Sequence, residues 1–165
     1  MDTIEKIIIK ENKTLKLNNV LIREVNQNEL KEMGRITHMM ESYIKSKRNS
    51  MIGPVIQYIA TVGDENGQPK LIIKLIVQLK NPIRNIETPY EFKKQIRITN
   101  CLFARFSEKE ENLKFAYSKL CLYAFENNIK LKGDSYTVWV NKKDADIVAD
   151  IFMELKEGVN ELEAI

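Results

Sequence analysis

The sequence lacks the features that mark secreted, disulfide-stapled and membrane-spanning proteins. It has two cysteines in 165 residues, and they do not form a CxxC pair. We expect Cys101 and Cys121 to be buried free thiols, which implies a reducing compartment. Residues 1–5 show neither the basic start nor the long apolar stretch of a signal peptide. No segment approaches the roughly 20 apolar residues of a membrane span. A cytoplasmic protein without membrane contact is therefore expected.

Motifs for catalysis and metal binding are also missing. The only histidine is His38, and one histidine without a second histidine or a nearby cysteine makes a poor metal site. No glycine-rich phosphate loop, HExxH or GxSxG motif occurs. We therefore predict no catalytic residue, no metal ligand and no cofactor, and we favour a binding module over an enzyme.

The overall composition is that of one soluble globular domain, which we place at residues 1–165. Hydrophobic residues make up 44% and charged residues 30% of the chain, so neither fraction suggests disorder. The net charge is +3, and the only compact basic run lies at a predicted helix end, where cations suit the helix dipole. A basic stripe for nucleic acid is not evident. The richness in Ile, Lys and Asn is typical of an AT-rich bacterial genome.

The most informative pattern is an internal similarity at a spacing of about 80 residues. Residues 19–22 (Asn-Val-Leu-Ile) resemble residues 100–103 (Asn-Cys-Leu-Phe). A helical pattern follows each of them, over 28–47 and 108–127, with apolar residues at i, i+3 and i+4. A glycine and two strand-like runs follow each predicted helix. The predicted strands are 15–25, 55–62, 70–79, 135–140 and 145–155, with a further candidate over 4–10 that turns back through 11–13.

This order predicts an α+β fold built from a duplicated strand–helix–strand–strand repeat. Repeat 1 spans about 15–80 and repeat 2 about 90–156, with residues 81–89 as the connector. One such unit cannot cover both sides of its strands. We expect the two units to form one curved antiparallel sheet, with both helices on one face and a binding groove between the halves.

Alternation along the last two strands assigns their side chains to faces. It predicts that Tyr136 lies under the helices and that Trp139 lies on the opposite face. On the final strand it places Asp150, Phe152 and Glu154 opposite the core. Aromatic rings beside carboxylates suit a flat, partly apolar cation. The alternative is an ordinary solvated sheet face.

Three segments resemble the GyrI-like effector-binding family, which includes drug-binding domains of multidrug-sensing regulators and the DNA gyrase inhibitory protein. Residues 51–54 (Met-Ile-Gly-Pro), with Tyr58 after them, resemble its Gly-Pro segment. Residues 127–136 resemble its helix–Gly–x–x–Tyr passage, and residues 150–155 resemble its closing strand. The resemblance covers roughly 15–156. No helix-turn-helix segment is recognised, so it implies a free-standing member that does not itself read DNA.

The resemblance also implies a ligand site. Asp150 stands where family members that sense drugs carry a Glu that pairs with cations, but it is one methylene shorter. Tyr58, Tyr136 and Trp139 are implied as wall residues, although alternation buries Tyr136. Together with Phe152 and Glu154 they form the candidate ligand-binding set.

The sequence thus predicts a small-molecule effector-binding domain, acting as a sensor or sequestering protein for apolar ligands, hydrophobic cations among them. One alternative is a module that modulates a partner protein through a patch formed by Phe115, Leu122 and Tyr123. Another is a hydrolase of small cyclic esters that uses Asp150 and Trp139. Haem-associated SOUL proteins share the general architecture, which keeps a role for His38 open.

Overall fold

The computed structural model describes residues 7–143 and 146–156, and the chain divides into two compact units. The central unit comprises residues 16–97. Among the described residues, the terminal unit comprises residues 7–15, 98–143 and 146–156. The elements are β1 (Ile8–Val25), α1 (Met33–Ser46), β2 (Met51–Gly63), β3 (Pro69–Leu79), β4 (Tyr90–Lys109), α2 (Leu113–Glu126), β5 (Asp134–Lys143) and β6 (Asp146–Met153). A 3-10 turn precedes each helix, over Gln27–Glu32 and Glu110–Asn112.

In the central unit, β3 lies between β1 and β2, and both pairings are antiparallel. Helix α1 packs on one face of these strands. Its buried residues Ile36, Met40 and Ile44 follow the i, i+4 spacing of a single stripe, as the sequence predicted. They meet alternate residues of β3, which are Ile73, Leu75, Val77 and Leu79. Burial of this stripe is what holds the helix on the sheet.

In the terminal unit, β6 lies between β4 and β5, again with antiparallel pairing. Helix α2 packs on one face through Leu113, Ala116, Leu120 and Ala124. The strand residues that meet them alternate along β4 and β6, and they are Leu102, Ala104, Phe106, Ile147, Ala149, Ile151 and Met153. We call these strand side chains, together with the four buried side chains of α2, the α2 core.

The predicted α+β class is confirmed, since both helices pack on antiparallel strands. Two local predictions are wrong. Residues 11–13 do not turn back; they stay within β1, where Asn12 has a φ of 58°. A single left-handed residue does not reverse a strand, and asparagine tolerates that conformation. Cys121 is exposed, because the buried stripe of α2 is narrower than predicted, whereas Cys101 is buried.

The two units repeat one order of elements and also repeat rare backbone conformations. Left-handed φ angles occur at three matched pairs of positions, each pair 80 or 81 residues apart: Asn19 and Asn100, Arg48 and Asn128, Gly53 and Gly133. The first pair begins the sequence-similar strand segments, and the others follow the two helices. Since non-glycine residues seldom adopt φ above zero, the two units share an uncommon backbone feature at corresponding places, while the duplication itself stays a prediction.

Two glycine substitutions should move stability in opposite directions. Gly53 has a φ of +77°, with only ordinary contact space around an added Cβ, so Gly53→Ala should destabilise the protein by about 1–2 kcal/mol. Gly34 lies in α1 with open space around it, so Gly34→Ala should stabilise the protein by up to about 1 kcal/mol. Urea unfolding of both variants checks the signs, and equal shifts would contradict the assigned backbone.

Candidate functional site

The candidate site lies on the sheet of the terminal unit, on the side turned away from α2. Because Leu102 and Ala104 belong to the α2 core, Phe103 and Arg105 point to the opposite side of β4. The same parity on β6 places Asp150 and Phe152 on that side. We call it the helix-distal face. Its side chains fall into three rows across β5, β6 and β4.

The middle row is aromatic. Phe152 of β6 stands directly opposite Tyr136 on one neighbour and Phe103 on the other. The rings of Phe103 and Phe152 are 5.0 Å apart between centroids and are tilted by 59°. This spacing is within the favoured range for aromatic pairs. Both phenylalanines are buried and Tyr136 is half-buried. We call these three residues the aromatic row.

On one side of the aromatic row lies a bidentate ion pair. Arg105 donates from Nε to Asp150 Oδ1 over 2.7 Å and from Nη2 to Asp150 Oδ2 over 2.8 Å. The Asp150 side chain is 13% exposed and that of Arg105 is 57% exposed. The carboxylate's hydrogen bonds and charge raise the pKa of Arg105. The negative charge of Asp150 is therefore already matched within the protein.

On the other side of the aromatic row lie two carboxyl groups, Asp134 and Glu154. The backbone N–H of Glu154 donates to Asp134 Oδ1 over 3.2 Å, and Asp134 is buried. Lys132 Nζ is 3.3 Å from Glu154 Oε2, with 56% of the lysine side chain exposed. Burial raises the pKa of Glu154 to about 7, and hydrogen bonding and charge from Asp134 act in the same direction, opposed by Lys132. We call Asp134 and Glu154 the acid pair.

The thiol of Cys101 interacts electrostatically with this pair. Burial raises the pKa of its thiol to about 11, and the charges of Glu154 and Asp134 contribute to the shift. At that pKa the thiol stays protonated at neutral pH, so it is not a reactive nucleophile. Cys101 is therefore an apolar neighbour of the acid pair.

A cation of the protein itself already lies on this face. The ammonium of Lys13, on β1, is 5.5 Å from the centroid of the Phe103 ring. This distance is within the range of a cation–π interaction. The contact shows that the helix-distal face accommodates a positive group against its aromatic row.

Four of the six predicted site residues come together here: Asp150, Phe152, Glu154 and Tyr136. The prediction for the face of Trp139 is wrong. Its ring packs against the α2 core, and it stands opposite Ala149 of that core. Thr137 lies on the same side of β5 as Trp139, two positions before it. Thr137 is buried and hydrogen-bonded to the hydroxyl of Tyr117 on α2.

Tyr136 consequently lies on the helix-distal face, as the family resemblance implied and the alternation argument did not. Tyr58 belongs to the central unit, where it stands opposite Lys74 on β3. The Lys74 ammonium is 5.9 Å from the Tyr58 ring centroid. Its place in a ligand site stays a prediction.

The same rows in the central unit have a different chemistry. The positions equivalent to the aromatic row are isoleucines, since Ile76 stands opposite both Ile22 and Ile56. The ion pair position is reversed in sign, because Lys74 stands opposite Glu24. Aliphatic side chains are therefore sufficient for packing at these positions. Packing alone does not require the three aromatic rings of the terminal unit.

The residues of the alternative functions are placed less favourably. Phe115 and Tyr123 pack against the α2 core, and the Tyr123 hydroxyl donates to Glu11 over 2.6 Å. Leu122 is exposed, and so is Phe125, at 82%, which sequence reasoning missed. Asp150 and Trp139, the pair considered for hydrolysis, lie on opposite faces of the sheet.

The described residues offer neither a metal-binding cluster nor a membrane-spanning helix. His38 is exposed, and no group of three or more His, Cys, Asp or Glu side chains within residues 7–143 and 146–156 could hold a metal ion. Over the same residues, no helix has the length and apolar character needed to cross a membrane.

The fold is similar to that of EcmrR, a protein solved in complex with DNA. The chain superimposes on the C-terminal domain of EcmrR with a TM-score of 0.58 and 13% identity, covering 92% of this chain and 97% of that domain. It matches EcmrR in its complex with DNA with a TM-score of 0.64 and 15% identity, covering 92% of this chain. There it spans 57% of the longer EcmrR chain.

An uncharacterised conserved protein from Listeria innocua also matches, with a TM-score of 0.52 and 6% identity over 88% of this chain and 92% of that one. At these identities the likeness concerns the fold alone. It agrees with the GyrI-like architecture noted from the sequence. No family profile and no curated protein matches the chain.

The acid pair should make stability depend on pH. Because the folded state raises the pKa of Glu154 from about 4.5 to about 7, it binds the Glu154 proton more tightly than the unfolded chain does. This contribution is present at low pH and is lost as the pH rises through that window. The free energy of unfolding of the wild type should therefore fall between pH 5 and 8 relative to that of Glu154→Gln.

Urea unfolding at several pH values checks this expectation, with Lys132, Asp134 and Cys101 left unchanged around the substituted group. Glu41→Gln, at an exposed position of α1, is the matched control and should keep the wild-type profile. A Glu154→Gln profile parallel to the wild type would contradict the assignment.

Proposed function

We propose that this protein is an effector-binding module that holds small hydrophobic cations on the helix-distal face of its terminal unit. The observation that carries the proposal is the aromatic row of Tyr136, Phe152 and Phe103 beside the acid pair. The finer expectations from the sequence belong to the same proposal: a bacterial, cytoplasmic sensor or sequestering protein that does not itself bind DNA.

The aromatic row supplies contact area and a face for positive charge. Ring faces attract cations through their quadrupole, and the attraction is larger where water is excluded. Phe103 and Phe152 are buried, so a ligand that reaches their faces leaves water behind. The Lys13 contact supports this step, because an ammonium already lies at cation–π distance from Phe103. A neutral apolar ligand would gain only the contact area.

The acid pair supplies the charge. Glu154 is half-buried, and a carboxylate removed from water is stabilised by a positive neighbour. A ligand cation beside Glu154 would favour the ionised carboxylate and replace the partial compensation given by exposed Lys132. We therefore assign the acid of this site to Glu154 rather than to Asp150.

Asp150 has a positioning role in this proposal. Its two carboxylate oxygens are held by Arg105, so a second cation there would compete with a bidentate partner. The ion pair makes one side of the aromatic row electrically neutral. Negative charge for a ligand is then available on the other side, at the acid pair. Trp139, on the other face, takes no direct part.

The fold likeness supports the proposal at a coarser level. The EcmrR C-terminal domain matches almost over its whole length, and EcmrR itself is found in a complex with DNA. The resemblance of the sequence to GyrI-like effector-binding domains points to the same class of module. The residues of the site rest on the geometry of the terminal unit.

Binding of a hydrophobic cation should depend on charge and on the aromatic row. We expect tetraphenylphosphonium to bind and tetraphenylborate, its anionic counterpart of the same shape, to bind at least tenfold more weakly. Phe152→Ile, which installs the side chain found at the equivalent Ile76, should weaken binding of the cation by about three- to thirtyfold. Titration calorimetry gives both affinities.

Phe125→Ile is the matched control, since it removes an exposed ring from α2 and should leave the affinity unchanged. Circular dichroism and thermal unfolding establish that both variants fold. Equal affinity for the cation and the anion, or equal effects of Phe152→Ile and Phe125→Ile on binding, would contradict the proposed site.

A further inference from the structure

The ammonium of Lys13 lies against Phe103, one of the rings that we propose to contact the ligand. The ammonium is 5.5 Å from the centroid of this ring, and Phe103 is only 9% exposed. The lysine is itself half-buried and follows the left-handed Asn12 within β1. The strand thus presents a cation to the aromatic row.

The neighbourhood of Lys13 is aromatic rather than acidic. Among residues 7–143 and 146–156, no carboxylate lies within ion-pair distance of its ammonium. Lysine side chains usually keep their charged end in water while the methylene stem covers apolar surface. A long flexible side chain held mainly by one ring can leave without breaking an ion pair. The Lys13 side chain is therefore better suited to being displaced by a ligand than to a permanent structural role.

We propose that Lys13 is a specificity-determining residue, a built-in cation that a ligand must displace from Phe103. Two positive groups cannot share one ring face, because their repulsion opposes the attraction of each to the ring. A neutral ligand would be unable to replace the ammonium's interaction with the ring. Lys13 would thereby lower the affinity for all ligands and penalise neutral ones most.

This inference rests on the proposed function and adds to it a residue on β1, outside the family-like segments. It also explains why one ring of the aromatic row is engaged before any ligand arrives. The central unit carries Ile22 at the position equivalent to Phe103, so it offers no such ring there.

The test compares Lys13→Met with Lys10→Met, using tetraphenylphosphonium as the probe and calorimetry as the readout. Methionine keeps a long apolar side chain without charge. Lys10 is exposed on the same strand, so its substitution removes an equal charge away from the ring. We expect Lys13→Met to tighten binding about three- to tenfold and Lys10→Met to change it less than twofold.

A second pair of variants separates displacement from general electrostatics. In a Phe103→Ile background the ring is gone, so adding Lys13→Met should change the affinity no more than Lys10→Met does. Lys13→Arg keeps a cation that also stacks on rings, and it should not tighten binding. Tightening that persists without the ring would overturn the proposal.

The remaining outcomes are distinct. If the wild type and Lys13→Met bind the probe equally, the role of Lys13 is overturned while the proposed function stands. If neither protein binds the probe, both are overturned. If only Lys13→Met binds measurably, the lysine is an occupant strong enough to close the site, and the proposal is supported.

Discussion

The chemistry of the terminal unit depends on the register of β6 between β4 and β5. Side chains of a strand alternate between the two faces of its sheet, so one register decides which residues meet. With Phe152 opposite both Phe103 and Tyr136, three rings fall in one row and Asp150 falls opposite Arg105. A shift by one residue would send Phe152 and Asp150 to the α2 side. The buried stripe of α2 opposes such a shift, because Ala149 and Ile151 would then leave the core.

The two units show what this register allows once packing is satisfied. The central unit fills the equivalent row with Ile22, Ile56 and Ile76, whereas the terminal unit uses aromatic residues. The charged row is reversed in sign, with Glu24 opposite Lys74 in one unit and Arg105 opposite Asp150 in the other. The terminal unit also carries the acid pair. The residues of the proposed site therefore lie in the terminal unit, while the central unit carries aliphatic side chains at the positions opposite Ile76.

Much of this fold could be predicted from residue patterns, because helices and strands have local periodicities. The buried stripes of α1 and α2, the glycines after the helices and strands β2, β3, β5 and β6 were visible in the sequence. The length of β4 and the continuity of β1 through residues 11–13 were not. The face of Trp139 was predicted wrongly because polar residues of β5 were expected to face solvent. The hydroxyl of Thr137 is instead hydrogen-bonded to that of Tyr117 inside the core. Phe103, Arg105, Asp134 and Lys13 were missed for another reason. Their roles depend on partners 20 or more positions away in the sequence, and no local pattern specifies that register.

A crystal structure of the protein grown with tetraphenylphosphonium would examine the binding face most directly. The expected complex has phenyl groups of the ligand against Phe103, Tyr136 and Phe152, its phosphorus on the side nearer Glu154, and the Lys13 ammonium withdrawn from Phe103. Ligand density on α2 beside Phe125, or on the central unit with the aromatic row unchanged, would contradict the assignment of the helix-distal face as the binding site.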